Sequence, residues 1–370
     1  MNREIETKTE RIVDLLDKED LGGVLLNAQH NFAWITGGAS NGIDLSRENG
    51  AASIFVSRKG TRYLLANNIE MSRLLLEEIA SNDFEPIEFA WQDEKTTPDL
   101  LVTKARDLSD GQIASDIAVQ PSMRTIENVI APLRFELTSD EIVRYKTLGT
   151  DAASAICNVI DSLKPGQSEV EVTAFIRKEL QSKNISSVVT LVAADERISK
   201  YRHPVPTSKT WSKSLLLVTC AKRNGLIASL SRMVCSETAP SELKEKTEAA
   251  AFVNASLWNA TREGVTGAEL YRTAAVAYSK MGFANEINLH HQGGATGYKT
   301  REWVVHPGSA EIVKADQAFA WNPSITGTKV EETVIATDDG IDVITASIGR
   351  PAIEHEIDGK VYNSPGIIEL

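Results

Sequence analysis

No apolar run in this chain approaches the roughly 18–20 residues that a membrane-spanning helix needs, which excludes that class. There is also no block of lysine or arginine. With 39 basic and 51 acidic side chains the net charge is −12, a balance that argues against a nucleic-acid partner and favours solubility. Cysteine is scarce. Cys157, Cys220 and Cys235 are odd in number and far apart, so neither a disulfide framework nor a cysteine–metal site is expected. That usage points to a reducing, cytoplasmic compartment. The first thirty residues are charged and helix-like and lack the pattern of a secretory signal. What is abundant is apolar side chain, 42% over 370 residues, enough for a core in two or three domains.

Residues 4–19 place Ile5, Ile12, Val13, Leu15 and Leu16 on one helical face, ended by Gly22-Gly23. GVLLNA and NFAWITG read as short strands, followed by ASIFVS and RYLLAN. The pattern then predicts a helix near 69–80, a strand over 84–91, a helix over 97–108 and a strand at QIASDIAV. This alternation describes an α/β domain over residues 1–132, with Pro121 and Pro132 bracketing a linker. The loop Gly37–Gly50, rich in Gly, Ser and Asn, is the obvious partner-facing surface of this half.

Residues 133–370 form the second domain. Thr138-Ser-Asp-Glu141 is a capping box that opens a long helix to about Leu163. Gly166 ends that helix, and Ser168 with Glu171 caps the next. The unit recurs: Gly264 ends a helix from about Ser241, and Thr266 with Glu269 caps its successor. Each of the three matched positions is offset by 98 residues. Strands follow each copy, at 186–194 and in a hairpin after the first, and at 284–291 and 316–346 after the second. The hairpin is Leu215–Arg232, turning at Asn224-Gly225. Two such halves imply one curved antiparallel sheet with helices outside and a ligand cleft between the halves. Overall the chain reads as α+β.

RIVDLLDKEDLGGVLLNAQHNFAWITG resembles the opening of a creatinase-type N-terminal domain, and LTSDEIVRYKTLGTDAA with LKPGQSEVEVTAFIRKEL resembles the entry to a pita-bread domain. The segments RHP at 202–204, the hairpin, HHQGG at 290–294 and KVEET at 329–333 follow in that family's order. The chain thus resembles the pita-bread family of creatinase, aminopeptidase P, prolidase and methionine aminopeptidase over nearly its whole length. A generic label implied by the resemblance is Xaa-Pro dipeptidase. Relatives of this kind are commonly homodimers, and the resemblance makes Asp44 and Arg47 in the Gly37–Gly50 loop the segment reaching a partner.

Metal-dependent members of this family hold two divalent ions with two Asp, one His and two Glu, hard oxygen ligands that offset the ionic charge. Anchored on Gly225, the two Asp positions fall on Val218 and Ser229, with their eleven-residue spacing kept. The His falls on His290 or His291, one Glu on Asn322, and the last on Glu331 or Glu332. No dinuclear centre is therefore expected, nor any other cofactor. The family also includes creatinase, a metal-independent hydrolase of a C–N bond. The resemblance makes His203 the first choice for general acid/base, with His290, His291 and Glu331 as further catalytic candidates. Arg301 would hold a substrate carboxylate bidentately. Glu302, Tyr298, Asn322, Ser229 and Glu332 complete the substrate-binding candidates, with Lys299 beside Tyr298. Strand alternation would turn only one of His290 and His291 to the cleft, and leave one of Glu331 and Glu332 in solvent. Cys220 and Cys235 read as core residues. Ser229 has no base in sequence to activate it. The guanidinium clamp of creatinase is not expected, because acidic positions have become Val218 and Asn322 and a histidine position has become Gly297.

These residues imply a metal-independent hydrolase of a C–N bond in a small carboxylate-bearing substrate. A catalytically silent protein that binds a peptide or small ligand, and an Xaa-Pro dipeptidase or aminopeptidase with an atypical metal site, are the other two readings.

Overall fold

In the computed structural model, which describes residues 3–79 and 83–370, the chain divides into two units, Met1–Arg134 and Phe135–Leu370. In the first, helix α1 (Arg3–Lys18) buries Ile5, Ile12, Leu15 and Leu16, the face read from the sequence. Strand β1 (Gly23–Ala28) follows. NFAWITG, expected as a strand, instead contributes to helix α2 (Gln29–Ile35). The Asp116 carboxylate accepts the backbone N–H groups of Asn27 and Ala28 at 3.0 and 2.9 Å, and the Asn31 side chain at 3.0 Å. That long-range acceptor turns the chain out of β1 and into a helix buried on nearly every side, so no apolar periodicity reveals it.

Strands β2 (Asn49–Ser57), β3 (Arg62–Asn67) and β4 (Glu85–Phe89) follow the expected runs. Between β3 and β4 the helix expected near 69–80 is a turn of α-helix at Met71–Arg73 continued by a π turn at Leu74–Glu78; Ala80 lies outside the described residues. A short helix that was not expected, α3 (Trp91–Thr96), precedes the helix expected over 97–108, which is found as α4 (Leu100–Asp107); the two are set apart by Pro98, whose ring disfavours helical backbone at the residue before it. Strand β5 (Ile113–Ser115) completes a sheet of order β4-β3-β2-β1-β5.

The second unit opens with α5 (Ser139–Asp161) and α6 (Glu169–Gln181), each entered through the expected capping box. Strands β6 (Ser186–Ala194), β7 (Ser214–Arg223) and β8 (Leu226–Cys235) follow. The β7–β8 hairpin pairs Arg223 with Leu226, and Asn224 and Gly225 both have positive φ, as a two-residue turn of this hand requires. Next come α7 (Ser241–Ala260) and α8 (Gly267–Lys280), the latter behind the third capping box. Strands β9 (Gly293–Thr296), β10 (Trp303–Val304), β11 (Ala318–Trp321), β12 (Ser324–Ile325), β13 (Thr328–Lys329), β14 (Glu332–Thr337) and β15 (Gly340–Val343) form the second half. Strands β16 (Ala352–Ile357), β17 (Lys360–Pro365) and β18 (Ile367–Glu369) close the chain.

The internal repeat extends to individual hydrogen bonds. Gly166 donates to the Trp211 carbonyl and Gly264 to that of Val313; Glu169 donates to Lys209 and Gly267 to Glu311. Ser168 and Thr266 make equivalent isolated bridges, to Thr210 and Ile312. The strands of this unit fall into two principal sets, β18-β8-β7-β6 and β10-β9-β11-β14-β15. They join laterally along β8, where Ile227 donates to Gly297 at 2.8 Å and Ser231 to Glu331 at 3.0 Å. Helices α7 and α8 cover the second sheet through Trp258, Leu270 and Tyr278, which pack with Phe319, Trp321 and Val334.

Gly149, inside α5, passes so close to the chain that a Cβ there would lie 2.2 Å from the Ile344 carbonyl oxygen. Ala in a free helix would gain about 1 kcal/mol over Gly. Here the clash with backbone wins, and Gly149→Ala is expected to lower unfolding stability by about 1–3 kcal/mol, read as a lower urea midpoint at unchanged slope.

Candidate active site

A loop rather than a strand carries the paired histidines. Ala284–Asn288 is a 3₁₀ turn and β9 begins only at Gly293, so the strand expected over 284–291 is not formed. Asn285 and Asn288 supply the turn-forming chemistry that the apolar positions masked. Strand alternation therefore does not apply to His290 and His291, and the expectation that they face opposite ways is overturned. Their rings stack with centroids 4.5 Å apart, and both lie against His203, from the segment between β6 and β7, at 4.9 and 6.0 Å. The Nε2 atoms of His203 and His290 are 3.1 Å apart, one donating and the other accepting. Gln292 braces the loop. Its amide donates to the His290 carbonyl, and its Oε1 accepts the Tyr278 hydroxyl at 2.7 Å.

Burial and the charge of Lys329 lower the pKa of His203. Burial, Lys329 and the neighbouring imidazoles bring His290 down to about 2. His291 falls to about 4 through burial, Arg301 and Lys329. His290 and His291 are uncharged at neutral pH.

Glu331 is 2% exposed and receives two cations, the Lys329 Nζ at 2.8 Å and the Arg301 Nη2 at 3.3 Å. Burial raises the pKa of this carboxyl, but Lys329 and then Arg301 overcome that and hold it below its ordinary value. Lys329 was not anticipated. Its signal is its place two residues before Glu331 in KVEET, the spacing that puts two side chains on one face of an extended segment. Glu332 turns the other way, to Arg232 at 2.8 Å and the Thr345 hydroxyl, and burial pushes it up to about 7. It too is 2% exposed, so neither glutamate is solvated, contrary to expectation.

The remaining candidates divide. Ser229 is buried; its hydroxyl donates to the Cys220 Sγ at 3.2 Å and its backbone is tied to Thr333, with no basic side chain on it. Asn322 is buried with its Oδ1 unpartnered, as are Arg301 Nε and His290 Nδ1. Tyr298 is committed elsewhere: its hydroxyl donates to Glu141 at 2.7 Å and accepts from Arg144 at 3.0 Å, both on α5. Glu302 is half-buried, and its backbone N–H donates to Ala295, which sets the β9–β10 edge. Cys220 and Cys235 are buried on their strands, as expected of core residues.

These side chains do not fit a pair of divalent ions. Val218, at the first Asp position, packs among Leu191, Ala193, Leu216 and Met233. Ser229 and Asn322 bring neutral oxygens, and Glu331 already carries two cations. Four carboxylates are reduced to one, so nothing offsets the charge that such ions would bring.

Comparison with known proteins places this geometry in context. The profile of metallopeptidase family M24 matches residues 145–339. The Xaa-Pro dipeptidase of Pyrococcus furiosus is 22% identical over 232 residues, 60% of this chain and 66% of that protein, so the match spans just under two thirds of the relative. Among solved structures, the prolidase of Pyrococcus horikoshii OT3 superposes with a TM-score of 0.76 at 18% identity, covering 92% of this chain and 98% of that one. The dipeptidase PepE of Mycobacterium ulcerans gives 0.77 at 15% identity, covering 100% and 99%. At these identities the likeness is one of fold.

Glu331→Gln would leave Lys329 and Arg301 buried without their counter-charge, at an expected cost of about 3–5 kcal/mol. Because the folded pKa of Glu331 is lowered, its contribution is complete above the unfolded value near ~4.3 and is lost as pH falls through the folded value. Urea unfolding should show the loss at pH 7 and its shrinkage in acid, and Lys329→Met added to Glu331→Gln should recover part of it.

Proposed function

The chain belongs to metallopeptidase family M24, with a pita-bread second unit, and from that premise we propose that it hydrolyses a C–N bond in a small carboxylate-bearing molecule without the family's paired metal ions. The observation that carries this reading is the Lys329–Glu331–Arg301 cluster. Two fixed cations share one carboxylate beside uncharged histidines, leaving a surplus of positive charge. A surplus of this sign suits an anionic substrate. The buried, unpartnered Nε of Arg301 supports a guanidinium edge still available to a carboxylate.

In this reading His203 is the general base. Water bonds to the substrate carbon and gives its proton to the His203 imidazole, and the carbonyl electrons move to oxygen. The cationic edge of Arg301 and Lys329 stabilises that developing charge. Re-forming the carbonyl expels the nitrogen, which takes the proton back from His203. His290 Nε2, 3.1 Å from His203 Nε2, orients the imidazole and fixes its tautomer. The name of the Pyrococcus furiosus relative supports dipeptides with a carboxyl-terminal proline as the first substrates to try. A second reading, a silent binding protein, is favoured by the loss of acids at Val218, Ser229 and Asn322 and would use the same anion-binding surface.

The test is a panel of N-acyl amino acids and Xaa-Pro dipeptides, each paired with its carboxamide, assayed in chelator. Turnover of the free acids at a rate unchanged by chelator is expected. His203→Ala should abolish it without changing the thermal midpoint, and Arg301→Lys should raise KM for the acids more than for the carboxamides. Cleavage only after addition of Mn2+ or Co2+ would contradict the reading. Binding of the acids with no turnover would move the conclusion to the silent protein.

A further inference from the structure

We propose that His203, His290 and His291 together form a mononuclear, all-imidazole site for one borderline transition-metal ion of the Zn2+, Ni2+ or Cu2+ class, a donor set that shares one histidine position with the family's dinuclear centre and uses none of its carboxylate positions. One nitrogen from each of the three rings lies within 4.8 Å of the other two. His203 Nε2 and His290 Nε2 are 3.1 Å apart. Ligands bound tetrahedrally at about 2.0–2.1 Å from zinc stand roughly 3.3 Å from one another, so this pair already has nearly the bite of a chelate. The three residues come from two segments, and the His290–His291 stack holds two of the rings as one block.

The donor set decides the ion. Three imidazoles and no carboxylate select borderline ions and reject Mg2+, Ca2+ and Mn2+, which require oxygen. Glu331 is not available as a fourth ligand, because Lys329 and Arg301 hold it. The nearby positive charge weakens the site but does not fill it. Arg202, the other cation near His290, is paired with Glu286. A bound ion would take up the lone pairs through which His203 and His290 act. The consequence that such an ion inhibits rests on the proposed role of His203 as base; the binding itself does not.

The test uses the full-length protein stripped with chelator and dialysed. Zn2+ is titrated by calorimetry, and Co2+ is used as a spectroscopic probe of tetrahedral nitrogen ligation. One equivalent of Zn2+ should bind, and Mn2+ and Mg2+ should not. His291→Ala and His290→Ala, checked for fold by circular dichroism, should each weaken Zn2+ more than about tenfold, the loss that even an outer-shell partner causes. No binding, or binding equally strong in both variants, would overturn the site. With a substrate turned over in chelator, one equivalent of Zn2+ should suppress the rate; unchanged or faster turnover by the Zn2+-loaded protein would overturn inhibition while leaving the binding result standing.

Discussion

The charge state of the site turns on a single buried carboxylate. Glu331 would be costly to ionise alone in a nearly closed interior, and two cations, Lys329 and Arg301, hold it charged. Burial and, with it, Lys329 lower the proton affinity of all three histidines, and Arg301 adds to this at His203 and His291. Removing the carboxylate would strand both cations; removing the cations would protonate the carboxylate. The site thus carries its positive charge on protein ammonium and guanidinium groups, one more than its single carboxylate offsets.

A fold found in solved prolidases is kept here with neutral side chains at Val218, Ser229 and Asn322. Val218 has become a packing residue in an apolar cluster, and Ser229 has become part of the β7–β8 hydrogen-bonding framework. The strands stay in place because their register comes from the Asn224-Gly225 turn and from pairing along β8, neither of which needs an ion. Fold and site have separate physical supports, which is how one can be kept while the other changes.

Legibility in the sequence followed the range of the interactions involved. The three capping boxes and the hairpin turn are readable because each is a local device whose residues lie within a few positions of one another, and the 98-residue repeat is readable because it is two copies of such a device. The helix at Gln29–Ile35 was missed because Asp116, far along the chain, opens it. The trio of His203, His290 and His291 was legible as residue types but not as an arrangement. The 284–291 segment reads as a strand by its apolar positions, and only the 3₁₀ turn at Ala284–Asn288 brings both rings to the same side. Lys329 escaped notice because a lone lysine in a sequence is normally a solvated one. Tyr298 went the opposite way: adjacency to the site in sequence did not prevent its hydroxyl from bonding Glu141.

The most direct test of the claim that protein cations stand in for paired ions is metal analysis of the full-length protein after equilibration with Mn2+ and exhaustive dialysis, by elemental analysis and electron paramagnetic resonance. Compensation by Lys329 and Arg301 predicts no retained Mn2+ and no spin-coupled pair. Two Mn2+ ions retained per chain, with the exchange-coupled signal of neighbouring ions, would contradict it and would mean that the side chains around Glu331 rearrange to admit the dinuclear centre.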